Sequence, residues 1–292
     1  MNEDVASASN GRTAFVLAGG GSLGAVQVGM LKALARHGVV PDFVVGVSVG
    51  AINGVCFAAE PNGDGVARLE RIWQRLNRGD VFPFSLINSV LGLFGKRDYL
   101  VSPEPLRSLI ESELPRQRLE ELDIPCHVIA TDMLDGSEVV LSSGPAATAL
   151  MASAAIPAVF PGVLVDGRRL MDGGVACNTP ISAAVALGAT RVIVLPTGMS
   201  CALETPPPGA MAIAMHALNL LIMRQLLADM DRLSGQAELI VIPPLCPLTA
   251  TSYDFTQTDE LIRRAEATTR LWLKQSGLAN TGIPPALLPH RH

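Results

Sequence analysis

Two short apolar runs in the first 50 residues each end in a glycine-containing turn and are followed by a helical pattern. The first run, Thr13 to Ala18, stops at three consecutive glycines, and the second, Phe43 to Val47, stops at Ser48. Short apolar runs bounded by such turns are typical of strands that are buried on both faces. Repeated strand–turn–helix units predict parallel strands covered by helices, and therefore an α/β fold.

The rest of the chain continues this alternation. Strands are predicted over residues 126–131, 138–141, 191–195 and 239–242, with a hairpin over 163–172. Helices are predicted over residues 23–37, 49–59, 65–77, 145–155, 210–234 and 256–274, and a further one starts near Ser102. Since no repeat or composition shift divides the sequence, we expect a single three-layer α/β/α domain with a mostly parallel central sheet. It would span residues 13–276, between a flexible N-terminus (1–12) and a flexible tail (277–292).

The composition excludes several classes of protein. Hydrophobic residues make up 49% of the 292 residues and charged residues 17%, which is far too apolar for a disordered chain. The net charge of -5, without a run of Lys or Arg, argues against a nucleic-acid-binding protein. The most apolar long stretch, Met211 to Met230, contains His216, Arg224 and Asp229, which a membrane span would not tolerate. We therefore expect a soluble protein.

The N-terminus and the cysteines favour a cytoplasmic location. Glu3 and Asp4 stand where a secretory signal would need positive charge. The five cysteines are scattered singly, and outside the tail no histidine has another ligand type at metal-binding spacing. We therefore expect reduced thiols and no metal ion.

The first glycine loop, Gly19-Gly20-Gly21-Ser22-Leu23-Gly24, has two interpretations. It fits the G-x-G-x-x-G pattern that holds a dinucleotide pyrophosphate at a helix N-terminus. That site also needs an acidic residue at the end of the second strand, whereas Asp42 lies at the beginning of that strand. Consecutive glycines also expose N–H groups that suit the oxygen of a tetrahedral acyl intermediate, which makes this loop a candidate oxyanion hole.

The second turn fits the G-x-S-x-G motif, in which Gly46 and Gly50 flank Ser48. This motif places a serine hydroxyl on a strained turn above the sheet, and small flanking residues are needed there. A serine nucleophile requires an adjacent base. His216 lies inside a predicted helix, from which a side chain seldom reaches the strand ends. Asp172 is the better candidate, because two apolar residues deliver it to a turn with Gly173 and Gly174; its pKa would have to be raised by burial.

The order and spacing of the glycine loop, the serine turn and Asp172-Gly173-Gly174 resemble those of the patatin-like phospholipase family. The resemblance runs from about Thr13 to Leu195 and includes the segment 153–157, Asn178 and Pro180. It implies a Ser–Asp dyad without histidine, in which Ser48 is the nucleophile and Asp172 the general base. It also implies oxyanion donors at Gly19, Gly20, Gly21 and Ser22, with Gly24, Gly46, Gly50, Gly173 and Gly174 as supporting motif residues, and no cofactor.

One departure from the family concerns the residues after the triple glycine. Many members carry arginine there, whereas this chain has Ser22 and Leu23. The substrate preference of those members is therefore not carried over to this chain.

An apolar, lid-like insert of about residues 81–100 follows the third helix. No ionisable side chain occurs from Val81 to Gly95, so the segment Val81–Phe94 fits either a loop packed on the core or a patch that contacts a membrane. Together these observations predict a serine acyl hydrolase that acts on a fatty-acyl ester or phospholipid. Two alternatives stay open: a nicotinamide-dependent oxidoreductase that uses the glycine loop, and a non-catalytic scaffold. No oligomeric state is predicted.

Overall fold

The computed structural model describes residues 11–81, 99–198 and 209–288. Eight strands within these residues form one sheet. They are β1 (Thr13–Leu17), β2 (Phe43–Val47), β3 (Cys126–Asp132), β4 (Glu138–Leu141), β5 (Val163–Val165), β6 (Arg168–Asp172), β7 (Arg191–Leu195) and β8 (Glu238–Val241).

The sheet is parallel at its centre and antiparallel at one end. Its order is β5-β6-β3-β2-β1-β7-β8, and β4 also pairs with β3. The five strands from β3 to β8 run parallel to one another. β4 and β6 run antiparallel to β3, and β5 runs antiparallel to β6. The predicted mostly parallel sheet is therefore confirmed.

Ten helices occur in the described ranges. They are α1 (Gly24–Arg36), α2 (Val49–Ala58), α3 (Gly63–Arg75), α4 (Arg78–Val81), α5 (Glu104–Glu113), α6 (Ala146–Ser153), α7 (Gly174–Cys177), α8 (Ile181–Ala186), α9 (Ala210–Leu233) and α10 (Thr258–Lys274). Short 3-10 turns lie at Gly21–Leu23, Leu119–Glu121, Gly277–Ala279 and Pro285–Leu287. The helices predicted from the sequence have the observed boundaries to within two residues.

Two hydrophobic cores, one on each face of the sheet, produce three layers. Successive strand residues point to opposite faces, so Phe15 and Leu17 of β1 enter one core while Ala14 and Val16 enter the other. The first core is covered by α1, α2, α3, α5, α6 and α10. The second is covered by α8 and α9. This arrangement confirms the predicted α/β/α layers.

Residues at both ends of the described chain contact the domain. The Arg12 guanidinium lies 4.6 Å from the Phe43 ring centre, and the Arg12 carbonyl accepts the Thr190 N–H at 3.0 Å. At the other end Leu287 is 3% exposed in the second core, and Arg191 donates to the Leu278 carbonyl at 2.9 Å. Residues 277–288, which the sequence places in the predicted tail, thus bury apolar surface against the domain.

The helices of the described ranges include none with both the length and the hydrophobicity needed to cross a bilayer. The lid-like insert lies almost entirely outside the described residues. Only its ends are described: Val81 ends α4, and Leu100 donates its N–H to the Ala158 carbonyl at 3.0 Å. Its role therefore stays a prediction.

Candidate active site

Ser48 forms the sharp turn between β2 and α2. Its backbone has φ 53° and ψ -125°, a conformation that L-residues rarely adopt, and α2 begins at the next residue. A methyl group on Gly50 would lie 2.3 Å from the Leu17 carbonyl oxygen, so α2 can start this close to β1 only with glycine there. The turn presents the Ser48 side chain at the carboxyl end of the parallel strands, where α/β proteins build their sites. Ser48 is 8% exposed.

A second serine holds this turn in place. The Ser153 hydroxyl accepts the Ser48 N–H at 2.8 Å and donates to the Ile129 carbonyl at 2.5 Å. Ser153 is fully buried at the end of α6. Its hydroxyl thereby joins the strained turn to β3, which stabilises a backbone conformation that would otherwise relax.

Replacing Ser153 with alanine should lower the free energy of unfolding by about 1–3 kcal/mol, because the Ser48 N–H and the Ile129 carbonyl would both lose a buried partner. Denaturant unfolding of the two proteins measures this difference. The matched control is Ser112→Ala, which removes an exposed hydroxyl bonded to the Leu109 carbonyl and should change stability by less than about 0.5 kcal/mol. Equal effects of the two substitutions would contradict the role assigned to Ser153.

The register of the sheet brings Asp172 to Ser48. Val47, the last residue of β2, lies opposite Ile129 of β3, and Asp172 lies opposite Ala130, the next residue along β3. Ala130 pairs with β4 as well, so β6 occupies the same edge of β3 as β2, beyond the point where β2 ends. Asp172 therefore lies next to Ser48, the residue that follows β2.

The Asp172 carboxylate is buried and hydrogen-bonded. It accepts the Gly174 N–H at 2.7 Å. Burial raises the pKa of Asp172 from 3.8 to about 6, although the Gly174 N–H and the neighbouring Ser48 hydroxyl lower it in part. The Thr131 hydroxyl donates to the Asp172 carbonyl at 2.9 Å, which fixes the backbone of the residue. The predicted pair of Ser48 and Asp172 is thus brought together, and the carboxylate has a pKa suited to proton transfer near neutrality.

The glycine loop lies directly beside Ser48. A methyl group on Gly19 would lie 3.4 Å from Ser48 Cβ and 2.5 Å from Asn178 Oδ1, so only glycine allows this approach. The Gly19 carbonyl accepts the Thr197 hydroxyl at 2.8 Å and the Asn178 amide at 3.3 Å. These two polar side chains hold the loop over the carboxyl end of the sheet.

The structure narrows the four expected oxyanion donors to two. The Gly19 N–H already donates to the Asn178 carbonyl at 3.1 Å, and the Ser22 N–H donates to the Ser252 carbonyl at 2.9 Å. The N–H groups of Gly19 and Ser22 are therefore already paired within the protein. The N–H groups of Gly20 and Gly21 have no acceptor among the described residues. These two N–H groups are the remaining candidate donors.

A buried amide network supports the loop and the turn from below. The Trp73 indole N–H donates to Asn53 at 2.8 Å, and Asn53 donates to Gln27 at 2.9 Å. Gln27 in turn donates to the carbonyls of Ala18 and Leu195, at 2.8 and 2.9 Å. The network joins α1, α2 and α3 to the ends of β1 and β7, which lie next to the glycine loop.

Ser48 lines a cavity that is partly open to solvent. Apart from Ser48, Cys56 and Glu113, the described side chains that line it are apolar. Examples are Val49, Ile52, Trp73, Leu150 and Phe160. Such a cavity suits a hydrocarbon chain whose polar end lies at Ser48.

Among the described residues, no histidine bonds to Ser48 or Asp172. His127 contacts Phe43 and Ser142 instead, and burial lowers the pKa of its imidazole. No group of three or more potential metal ligands occurs in the described part of the chain.

Sequence reasoning missed Thr131, Thr197 and the amide network. A signal existed for Thr197, because it follows β7 by two residues and the ends of parallel strands collect site residues. The pairing of Gln27 with Asn53 and Trp73 carried no signal, since residues on three different helices contact one another only after the fold has formed. Ser153 and Asn178 were noted in the resemblance, but without a role.

Comparison with known proteins agrees with this geometry. The patatin-like phospholipase family model matches residues 15–185, more than half of the chain. Patatin-like phospholipase domain-containing protein 7 of Rattus norvegicus is 31% identical over 187 residues, which are 63% of this chain and 13% of that protein. The neuropathy target esterase of Drosophila melanogaster is 28% identical with the same coverage.

A solved structure shares the fold. Human GIVD cytosolic phospholipase A2 superposes with a TM-score of 0.51 at 12% identity, covering 92% of this chain and 59% of that one. The chain spans about an eighth of the length of the curated relatives named above. The oxidoreductase and scaffold alternatives are not favoured by these matches. The motifs, the geometry and the family match agree, and the chain belongs to the patatin-like phospholipase family.

Proposed function

We propose that this chain hydrolyses fatty-acyl esters of lipids, such as phospholipids or lysophospholipids, through a dyad of Ser48 and Asp172. The observation that carries the proposal is the Ser48 side chain beside the buried Asp172 carboxylate, in the wall of an apolar cavity. The names of the relatives, a phospholipase domain protein and an esterase, support the same class of reaction.

In the first half of the reaction, Ser48 Oγ attacks the acyl carbonyl carbon while its proton passes to the Asp172 carboxylate. The carbonyl oxygen becomes an oxyanion, which the N–H groups of Gly20 and Gly21 stabilise. When the tetrahedral intermediate collapses, the ester C–O bond breaks and the leaving alkoxide takes the proton from Asp172. An acyl-enzyme on Ser48 and a free alcohol remain.

In the second half, Asp172 takes a proton from a water molecule, whose oxygen attacks the acyl carbon of the acyl-enzyme. The same two N–H groups hold the new oxyanion. Collapse of this intermediate breaks the bond to Ser48 Oγ, and Asp172 returns its proton to that oxygen. A fatty acid leaves, and the dyad is restored.

Two environmental features make an aspartate adequate as the base. Burial raises the pKa of Asp172 to about 6, so that the carboxylate is ionised near neutrality yet accepts a proton readily. The same burial excludes water from the Ser48 hydroxyl, which strengthens its hydrogen bond to the carboxylate. A histidine relay is therefore unnecessary.

The expected cellular setting is also part of the proposal. We propose a cytoplasmic enzyme whose Val81–Phe94 segment contacts the lipid surface that holds the substrate. Two observations support this. The segment contains no ionisable side chain, and its first residue, Val81, ends α4 and lines the cavity.

Covalent labelling with a fluorophosphonate tests the proposal most directly. A folded sample should lose activity toward p-nitrophenyl butyrate as one equivalent of reagent becomes attached, and peptide mass spectrometry should place it on Ser48. Heat-unfolded protein, in which the dyad is lost, is the control and should not react. Absence of both labelling and hydrolysis in a folded sample would overturn the proposal.

A further inference from the structure

The cavity at Ser48 follows the axis of α2. Val49, Ile52 and Cys56 line it, and they lie on one face of this helix because their spacing matches its turns. All three are partly exposed, whereas Ala51 and Val55 on the other side of the helix are fully buried. Their exposed surface therefore faces the cavity, which runs for two helical turns away from the nucleophile.

Two neighbouring helices line the cavity beside α2. In α3, the Trp73 indole bonds to Asn53, midway along α2, while Gly65 lies against Glu60 just beyond the end of α2, so α3 runs antiparallel to α2. In α6, Ser153 bonds to Ser48, and Leu150 lines the cavity. The part of the cavity that lies along Val49, Ile52 and Cys56 is called the channel below.

Charged groups close the channel at the Cys56 end. Arg68 and Glu113 both lie close enough to Cys56 to influence the pKa of its thiol, which burial raises to about 11. Arg68 also donates to the Glu113 carbonyl, and Arg75 lies 3.2 Å from the Glu113 carboxylate. A hydrocarbon chain that extended past Cys56 would have to disturb these groups, which is unfavourable.

We propose that Cys56 sets the length of the acyl chain, and that the channel accepts about ten carbons. Eight residues separate Ser48 from Cys56, which is about 12 Å along a helix. An extended chain advances about 1.25 Å per carbon, from bonds of about 1.5 Å at tetrahedral angles, so about ten carbons fill the distance. The inference rests on the proposed function, since the chain is measured from an ester carbonyl at Ser48.

For the unmodified protein, kcat/KM toward p-nitrophenyl esters should rise by about three- to fourfold per added methylene up to about ten carbons, as each methylene is buried. Beyond that length it should fall, and the 16-carbon ester should react at least about tenfold more slowly than the 10-carbon ester. All esters are assayed below their critical micelle concentrations. Rates of Ser48 labelling by alkyl fluorophosphonates of the same lengths should show the same optimum.

Two phenylalanine substitutions at different depths test the position of the closed end. Cys56→Phe should shorten the optimum by about two to three carbons, because the ring fills the end of the channel. Ile52→Phe, one turn nearer to Ser48, should shorten it to about five carbons. Cys56→Ala removes the sulfur and should raise the ratio of 12-carbon to 8-carbon activity by about two- to threefold. The matched control Cys177→Ala, whose cysteine is buried beside the Thr179 carbonyl and does not line the channel, should leave the optimum unchanged.

The outcomes separate this inference from the proposed function. A graded shift, larger for Ile52→Phe than for Cys56→Phe, supports the channel. Hydrolysis with an optimum that neither substitution moves, or a uniform loss at every chain length, overturns the role of Cys56 and leaves the esterase activity in place. If no ester is hydrolysed and no fluorophosphonate reacts, the proposed function itself fails. Circular dichroism of each variant checks that it is folded.

Discussion

Replacing Ser48 with alanine is expected to lower kcat/KM for p-nitrophenyl esters by about 10⁴-fold or more, because no acyl-enzyme can form without the Oγ nucleophile. The N–H groups of Gly20 and Gly21 and the apolar cavity remain in this variant, so substrate should still bind. Initial rates with the 4-carbon to 10-carbon esters measure the loss. Fluorophosphonate labelling should disappear in parallel.

The control for this substitution is Ser234→Ala. Ser234 lies at the end of α9, and its hydroxyl bonds only to the nearby Asp231 carbonyl. We expect no change in rate for this variant. If Ser48→Ala retains a tenth of the activity of the unmodified protein, another group is the nucleophile, and the dyad is wrong.

Much of the fold was predictable because the signals are local. The strands at 43–47 and 191–195 are apolar apart from Arg191 at the start of the second, a pattern typical of strands covered on both faces, and their bounds agree with the structure. The turn at Ser48 was equally clear, since the five residues of the G-x-S-x-G motif stand between a predicted strand and a predicted helix. The role of a residue can be predicted from the sequence when it depends on the residues immediately before and after it.

The details of the site depend on distant parts of the chain. Asp172 reaches Ser48 because β3 extends past β2 and pairs there with β6, and no local pattern encodes that difference in length. Likewise, the N–H groups of Gly19 and Ser22 donate to the carbonyls of Asn178 and Ser252, which lie more than 150 residues away in sequence. The glycine loop identified the kind of site, whereas the choice of donors within it required the structure.

Asp172→Asn is expected to lower kcat/KM by about 10²- to 10⁴-fold, because the amide cannot take the proton of Ser48. In the unmodified protein the carboxylate must be ionised to act as the base. Since burial raises the pKa of Asp172 to about 6, kcat/KM should increase with pH through about 6 and level off above it. A pH–rate profile whose rise lies near 4 instead would show that the carboxyl is not desolvated during the reaction.

The same substitution is expected to stabilise the fold at neutral pH. The pKa of Asp172 is about 6 in the folded protein, above its ordinary value of 3.8, so the folded state binds the proton more tightly than the unfolded state does. The protonated carboxyl therefore contributes stability below pH 3.8, and this contribution is lost as the pH rises through about 6. Asparagine carries no such penalty, and Asp172→Asn should therefore raise the free energy of unfolding by about 2–3 kcal/mol at pH 8 and by almost nothing below pH 4.

Asp132→Asn serves as a control of opposite sign for this stability measurement. The Leu134 N–H and then Arg168 hold the pKa of Asp132 below 3.8, so its ionised form stabilises the fold above that pH and the contribution is lost as the pH falls through the folded pKa. Asp132→Asn should thus destabilise the protein at pH 8. Denaturant unfolding at pH 4 and pH 8 compares the two variants. If the stability gain of Asp172→Asn did not depend on pH, burial of the ionised Asp172 carboxylate would not be its cause. Observed together with the loss of activity, the pH-dependent gain would mean that the site keeps a buried base at the expense of stability.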